Sequence, residues 1–279
     1  MENRTLIVKE AIVIGLLFFL FACDSGLTTT ELSETVEQDS TAAYPYELIL
    51  DWEAPFTEEE KEMHREWIQE VYDATLTTMG KYPFDVYVHF LHSSSTYSPV
   101  PFGYTSRKKK LNEVYLYVNS KATLEELRAD WTAPHELSHL AITAVGPTAK
   151  WFAEGFATFF IRQTMMEMGY YSQAKFDSLY RANIDYYCKP YKSTTSTFIE
   201  VADSLVSKGR YGAMYWGSSS FMMALDVQLR TEKEMYLREV LQSYQSTYRL
   251  KDRNLRDVVG SLDKVIGETW CNDLMKIYR

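Results

Sequence analysis

Cysteine is scarce in this chain, with only Cys23, Cys188 and Cys271 among 279 residues. A structural zinc site, which closes four ligands around the ion and often uses thiolates, finds little to build on. Cationic excess is missing too: 29 Lys and Arg stand against 38 Asp and Glu, for a net charge of −9. No basic face is available for nucleic acid, and the negative balance favours solubility. The one basic run, Arg107-Lys108-Lys109-Lys110, reads as the solvated tip of a hairpin. Internal repeats are absent. What is plentiful is apolar mass, 46% hydrophobic and 15% aromatic, enough for one large domain or two small ones with a real core.

The longest apolar run lies at the start. Arg4 and Lys9 precede Ala11 to Phe21, a stretch long enough for the apolar region of an export signal and too short for a comfortable membrane span. Leu20-Phe21-Ala22-Cys23 resembles a bacterial lipobox. The resemblance implies a lipoprotein signal peptide over residues 1–22, lipid on Cys23, and a place in the bacterial cell envelope outside the cytoplasm. An uncleaved signal anchor would leave the rest of the chain on the same side. Residues 23–45 are rich in Ser, Thr, Glu and Gln and predict a flexible tether. Cys188 and Cys271 then face an oxidising compartment, either paired or as buried free thiols.

From residue 46 the pattern predicts an α+β domain running to 279, with a small, mostly antiparallel sheet over 46–119 and an all-helical half over 120–279. Tyr46–Leu50, Phe84–Phe90 and Glu113–Val118 alternate with period two, and Phe102–Thr105 adds a short strand. Between the first two, Thr57 and Glu60 have capping-box spacing, and Met63, Trp67, Ile68, Val71 and Leu76 recur at helical intervals until Gly80. His64 reads as a half-exposed residue of that helix. His89 sits in a strand and His92 at the start of a Ser-rich loop, both in structural or solvent-facing roles. Thr123 and Glu126 form a second capping box, opening a short helix that Pro134 interrupts. Beyond Lys150 no strand is expected: helices are read over Trp151–Met168, Gln173–Cys188, Phe198–Ser207, Tyr211–Arg230 and Glu232–Tyr244, with shorter ones after them.

The chemistry concentrates at His135-Glu136-Leu137-Ser138-His139. Pro134 is tolerated in a first helical turn, so a helix from near Thr132 stacks His135 and His139 on one face, aimed at one point. That is a chelate for zinc. Glu136 lies on an adjacent part of the surface, where it can act as general base on a water without being a ligand. Leu137, Leu140, Ala141 and Ala144 are expected to bury the opposite face, and Gly146-Pro147 to end the helix. After this short turn comes Trp151-Phe152-Ala153-Glu154-Gly155-Phe156-Ala157. A return helix packed beside the first brings Glu154 to the metal, with Gly155 expected to let the two backbones approach. An unpaired charge among those apolar neighbours would be costly.

His-Glu-Leu-Ser-His followed by Trp-Phe-Ala-Glu-Gly-Phe-Ala-Thr resembles the gluzincin metallopeptidases of the peptidase MA-like clan. The stretch from Tyr211 to Arg230 is similar to the helix that follows in glycyl aminopeptidase-type and aminopeptidase N-type enzymes. The resemblance covers roughly residues 120–279. It implies a thermolysin-like zincin fold, Zn²⁺ held by His135, His139 and Glu154, and hydrolysis of peptide bonds in a peptide or protein substrate with Glu136 as base. Anchored on Leu225-Asp226 and Arg230, it assigns the oxyanion-stabilising tyrosine to Tyr215, with Tyr211 as runner-up. It implies a substrate-binding strand at Val100–Thr105 or Glu113–Val118, and Thr158, four residues past Glu154, is a candidate to orient the histidines. Two features depart from the larger relatives: only fourteen residues separate His139 from Glu154, and the Gly-x-Met-Glu-Asn motif for a free amino terminus is missing. The alternative is a catalytically degenerate peptidase fold acting as a surface binding or scaffold lipoprotein. The sequence leaves substrate, exo- or endopeptidase action and oligomeric state open.

Overall fold

The computed structural model describes residues 45–279 except 96, 108–110, 193–194 and 279. The signal peptide, Cys23 and the tether up to residue 44 lie outside the described residues, as does most of the basic run. The chain opens with β1 (Leu48–Trp52), α1 (Glu58–Met79), β2 (Val86–Ser93), β3 (Phe102–Ser106) and β4 (Asn112–Asn119). The capping box forms at the head of α1, where Thr57 N donates to Glu60 Oε2 at 2.7 Å and Glu60 N to Thr57 Oγ1 at 3.2 Å. That satisfies two amides the first helical turn would otherwise leave unpaired.

The four strands form one mixed sheet in the order β1-β2-β4-β3. Two of its three pairings, β1 with β2 and β2 with β4, are parallel, and only β3 with β4 is antiparallel. The expectation of a mostly antiparallel sheet is therefore corrected. Its cause is α1, whose 22 residues carry the chain back along the sheet between β1 and β2, so that β2 starts from the same end as β1. The chain reverses direction between β2 and β3 and again between β3 and β4, which leaves β3 alone running against the other three.

Trp67, Ile68, Val71 and Met79 of α1 pack with Val86, Val88 and Phe90 of β2 and Val114, Leu116 and Val118 of β4 in one core. His64 belongs to that buried face and not to the half-exposed position expected of it. It is 1% exposed and stacks on Phe90 with ring centroids 5.0 Å apart. Removal from water pushes its imidazole down to about 4, so it is neutral at pH 7 and behaves as an aromatic core residue.

Beyond β4 the chain is helical throughout the described residues. A second capping box at Thr123 opens α2 (Leu124–Ala129), followed by α3 (Thr132–Leu140). A 3₁₀ turn over Pro147–Ala149 leads into α4 (Lys150–Glu167). Then come α5 (Gln173–Tyr187), α6 (Lys189–Lys192), α7 (Phe198–Ser207), α8 (Tyr211–Lys233), α9 (Leu237–Thr247), α10 (Leu255–Ile266) and α11 (Trp270–Tyr278). The break expected after Arg230 falls after Lys233, where Glu234 takes the left-handed conformation at φ 54°. Leu137, Phe152, Phe221, Leu229 and Tyr244 join the same core as the sheet residues, so hydrophobic contact is continuous from the sheet through the helices. Cys188 and Cys271 are buried free thiols, and burial pushes the Cys188 thiol up to about 12. No helix of the described residues is long and apolar enough to cross a membrane.

Candidate metal centre

The short helix α3 starts where Asp130 Oδ1 accepts a hydrogen bond from Thr132 N at 2.8 Å. Pro134 sits in its first turn, where a missing N–H costs nothing. Nine helical residues are enough to put His135 and His139 one turn apart. Their Nε2 atoms lie 3.2 Å from each other. From the neighbouring helix α4, Glu154 Oε2 arrives 3.2 Å from His135 Nε2 and 3.6 Å from His139 Nε2. Ligands about 2.0–2.1 Å from a tetrahedral ion are separated by edges of about 3.3–3.4 Å. The three atoms thus fit one face of a tetrahedron, and one cation can touch all three. Burial alone would raise the Glu154 carboxyl, but its hydrogen bonds and charge attraction to His135 and His139 outweigh that and hold it well below the usual carboxylate range.

Glu136 points to the sheet side of α3. Thr105 Oγ1, on β3, lies 2.9 Å from Glu136 Oε2 and 2.8 Å from the Glu136 carbonyl oxygen. This contact depends on Gly103. A Cβ there would come within 2.9 Å of the Thr132 side chain and 3.0 Å of Glu136 Cγ, so any larger residue would push β3 away from α3. The Glu136 carboxyl is raised above its ordinary value, chiefly by burial, with attraction to His135 and the Thr105 hydrogen bond pulling back only part of the shift. β3 is also the sheet edge, with one flank paired to β4. Of the two strands considered for substrate, Glu113–Val118 lies inside β4, whose both flanks are paired. Only the strand containing Thr105 has a flank to offer.

The far end of α3 is held by residues that the motif did not reveal. A helix leaves its last carbonyls without partners from its own backbone. Here Ala141 N takes the Ser138 carbonyl at 3.1 Å, and long-range side chains take the others. Tyr82 Oη donates to Leu137 O at 2.8 Å, Arg249 Nε to Leu140 O at 2.9 Å and Gln245 Nε2 to Ala141 O at 2.7 Å. Arg107 donates to the carbonyls of His139 and Ile142. The expectation that the basic run is solvated fails for Arg107, which burial and the nearby Arg249 bring down to about 10. It is still cationic at neutral pH, at the end of the helix where a positive charge is favourable. Lys108, Lys109 and Lys110 lie outside the described residues. Because this cap ends α3 at Leu140, Ala144 falls in an exposed loop and does not bury a face of the helix.

Tyr215 projects from α8 toward the same centre, its ring centroid 5.7 Å from that of His135. Burial, and then the carboxylates of Glu154 and Glu136, push its hydroxyl up, so at neutral pH it is a hydrogen-bond donor. Tyr211, one turn earlier, is 47% exposed beside the Lys150 side chain. The placement of Tyr215 rests on Gly155, where a Cβ would come within 2.5 Å of the Ser218 backbone. Gly155 therefore joins α4 to α8, and not α4 to α3 as expected from its place after Glu154. Thr158 is buried but its hydroxyl has no hydrogen-bond partner, so it does not orient either imidazole. Asp226 accepts from Leu237 N at 2.9 Å and pairs with Arg230 at 3.1 Å, fastening α9 to α8. Trp131, half exposed, stands edge-on to His135 at 5.5 Å and forms an apolar lip that nothing in the motif announced.

A separate surface hollow lined by Glu70, Asp73, Arg128 and Tyr170 shares no residue with this centre. No family model matches the chain, and no curated protein matches it at a significant level.

Proposed function

We propose that this protein is a zinc-dependent peptidase with the gluzincin ligand set in a thermolysin-like zincin fold, tethered to the bacterial envelope by lipid at Cys23. The observation that carries the reading is the convergence of His135, His139 and Glu154 within 3.2–3.6 Å of each other, with a second carboxyl, Glu136, buried beside them and bonded elsewhere. Two imidazoles and one carboxylate suit zinc, and three protein ligands leave it a coordination position for Lewis-acid chemistry on a peptide carbonyl.

The chain's own groups account for the rest. Glu136 takes a proton from the attacking water, and its raised carboxyl makes it a stronger base than an exposed glutamate. The Thr105 hydroxyl fixes the direction of that carboxylate. Once the water oxygen has bonded to the carbonyl carbon, Glu136 passes the proton to the departing amine. Tyr215, kept protonated, donates a hydrogen bond to the oxyanion as it develops. An extended substrate pairs along the unpaired flank of β3, as peptides add to other exposed sheet edges.

The test is hydrolysis of a peptide library by the purified chain, with and without a chelator. Loss of cleavage on chelation and its recovery with Zn²⁺ is the expected result, and cleavage confined to free N-termini would make the enzyme an aminopeptidase. A protein that takes up no zinc and cleaves nothing would instead be the scaffold lipoprotein.

A further inference from the structure

A second cluster of metal-type ligands stands on the opposite face of the sheet. Side chains alternate along a strand. Leu50, Val88 and Leu116 point toward the helices, and Asp51, His89 and Tyr115, paired side by side across β1, β2 and β4, point away from them. Glu53 extends the same face, its N–H donating to Phe90 O at 3.0 Å. His89 Nδ1 lies 3.3 Å from Asp51 Oδ2 and 3.2 Å from Glu53 Oε1, and the three ligand atoms all fall within 4.8 Å of one another. The two distances to the imidazole are like those at the first centre, where Glu154 lies 3.2 and 3.6 Å from His135 and His139.

His89 is only 8% exposed, and neither of its buried ring nitrogens makes a hydrogen bond. The ring cannot swing away to find one. It is stacked on Tyr115 at 4.3 Å, and Tyr115 is stacked on Tyr104 at 4.6 Å. Two carboxylates crowd one nitrogen, more than a single N–H can satisfy, whereas a divalent cation between them would attract all three ligands. On the other side of the ring, Glu113 Oε1 is 3.7 Å from Nε2. A metal on Nδ1 would leave the ring proton on Nε2, the nitrogen that faces the Glu113 carboxylate.

The geometry points to a second divalent-metal site formed by His89 Nδ1, Asp51 and Glu53, with Glu113 orienting the imidazole. One nitrogen and two carboxylate oxygens suit a borderline transition ion of the zinc type. The outer ligands Asp51 and Glu53 are exposed, so the ion enters from solvent and completes its shell with water. Because α3 packs on the other face, this ion takes no part in peptide hydrolysis. It ties edge strand β1, and the segment leading to α1, to the middle of the sheet. The proposal does not depend on the peptidase reading.

The experiment is Zn²⁺ binding to the full chain, read as metal stoichiometry and by competition with a chromophoric chelator. His89→Phe keeps a ring to stack on Tyr115 but supplies no ligand, and it should bind one zinc fewer than the unmodified chain while its peptidase activity is unchanged. His139→Ala should also bind one fewer, with the zinc lost from the other centre. In the His139→Ala background, Zn²⁺ should raise Tm, and adding His89→Phe should abolish the rise. Glu113→Gln should weaken the remaining site by about tenfold. Should His89→Phe fold poorly, the double change Asp51→Asn and Glu53→Gln, at exposed positions, makes the same test. Equal zinc stoichiometry with and without these changes, or no zinc bound by His139→Ala, overturns the second site. Unchanged stoichiometry in His139→Ala counts against the catalytic centre alone.

Discussion

On the sheet side of α3, Glu136 is buried against β3 with one hydroxyl for a partner, and its carboxyl is pushed up. On the helical side, Glu154 is nearly as buried but faces two imidazoles, and its carboxyl is held down. Burial acts on both in the same direction, by penalising the charged form. The partners decide the outcome, because Glu154 has attraction and hydrogen bonds from both histidines where Glu136 has only the attraction of His135 and its bonding to Thr105. A carboxylate that stays ionised suits a ligand, and one whose proton affinity is raised suits a base, the division of roles proposed above. Environments that push two acids apart in this way separate their roles.

Exchanging each acid for its amide tests that division most severely. Glu136→Gln should lower kcat by about 10²–10⁴-fold with zinc content unchanged. Glu154→Gln should instead weaken zinc binding by more than the about 10–100-fold typical of an outer-shell partner. If both variants lost zinc equally, or Glu136→Gln kept full activity, the two acids would not differ in role.

Tyr215→Phe removes the donor that faces both carboxylates, and kcat should fall by about 10²–10³-fold with little change in KM; Tyr211→Phe, at the exposed position, should leave kcat near its original value. An equal loss in both would point away from an oxyanion role for Tyr215. Arg249→Met leaves the Leu140 carbonyl without its buried donor, and should cost about 1–3 kcal/mol of stability in denaturant unfolding. The smallest effect is expected from Thr105→Val. The Thr105 hydrogen bond lowers the Glu136 carboxyl, so its loss raises that carboxyl further. In the proposed mechanism the base works only when deprotonated, so the acid limb of kcat/KM should move to higher pH. A shift to lower pH, or none, would separate the limb from Glu136.

Local features of the chain were readable without the fold. His135 and His139 meet because four residues make about one helical turn, and the capping boxes at Thr57 and Thr123 close within four residues. Glu154 could be expected beside them because a short turn returns the next helix next to the first, which is still a near-neighbour relation. Alternation placed His89 in a strand for the same reason, but gave no hint of Asp51 and Glu53 beside it.

What only the tertiary structure decided are relations between distant segments. The parallel pairing of β1 with β2 depends on how α1 crosses the sheet, and period-two alternation is the same for either strand direction. Gly155 could be seen to need close contact, but not that Ser218 would supply it. The cap on α3 comes from Tyr82, Arg107, Gln245 and Arg249, up to 109 residues from the carbonyls they hold. No spacing rule reaches so far. The amino-acid sequence thus determined which side chains could gather around a metal. The packing of β3, α4 and α8 on a capped α3 decided which of the two glutamates faces the imidazoles and which turns to Thr105.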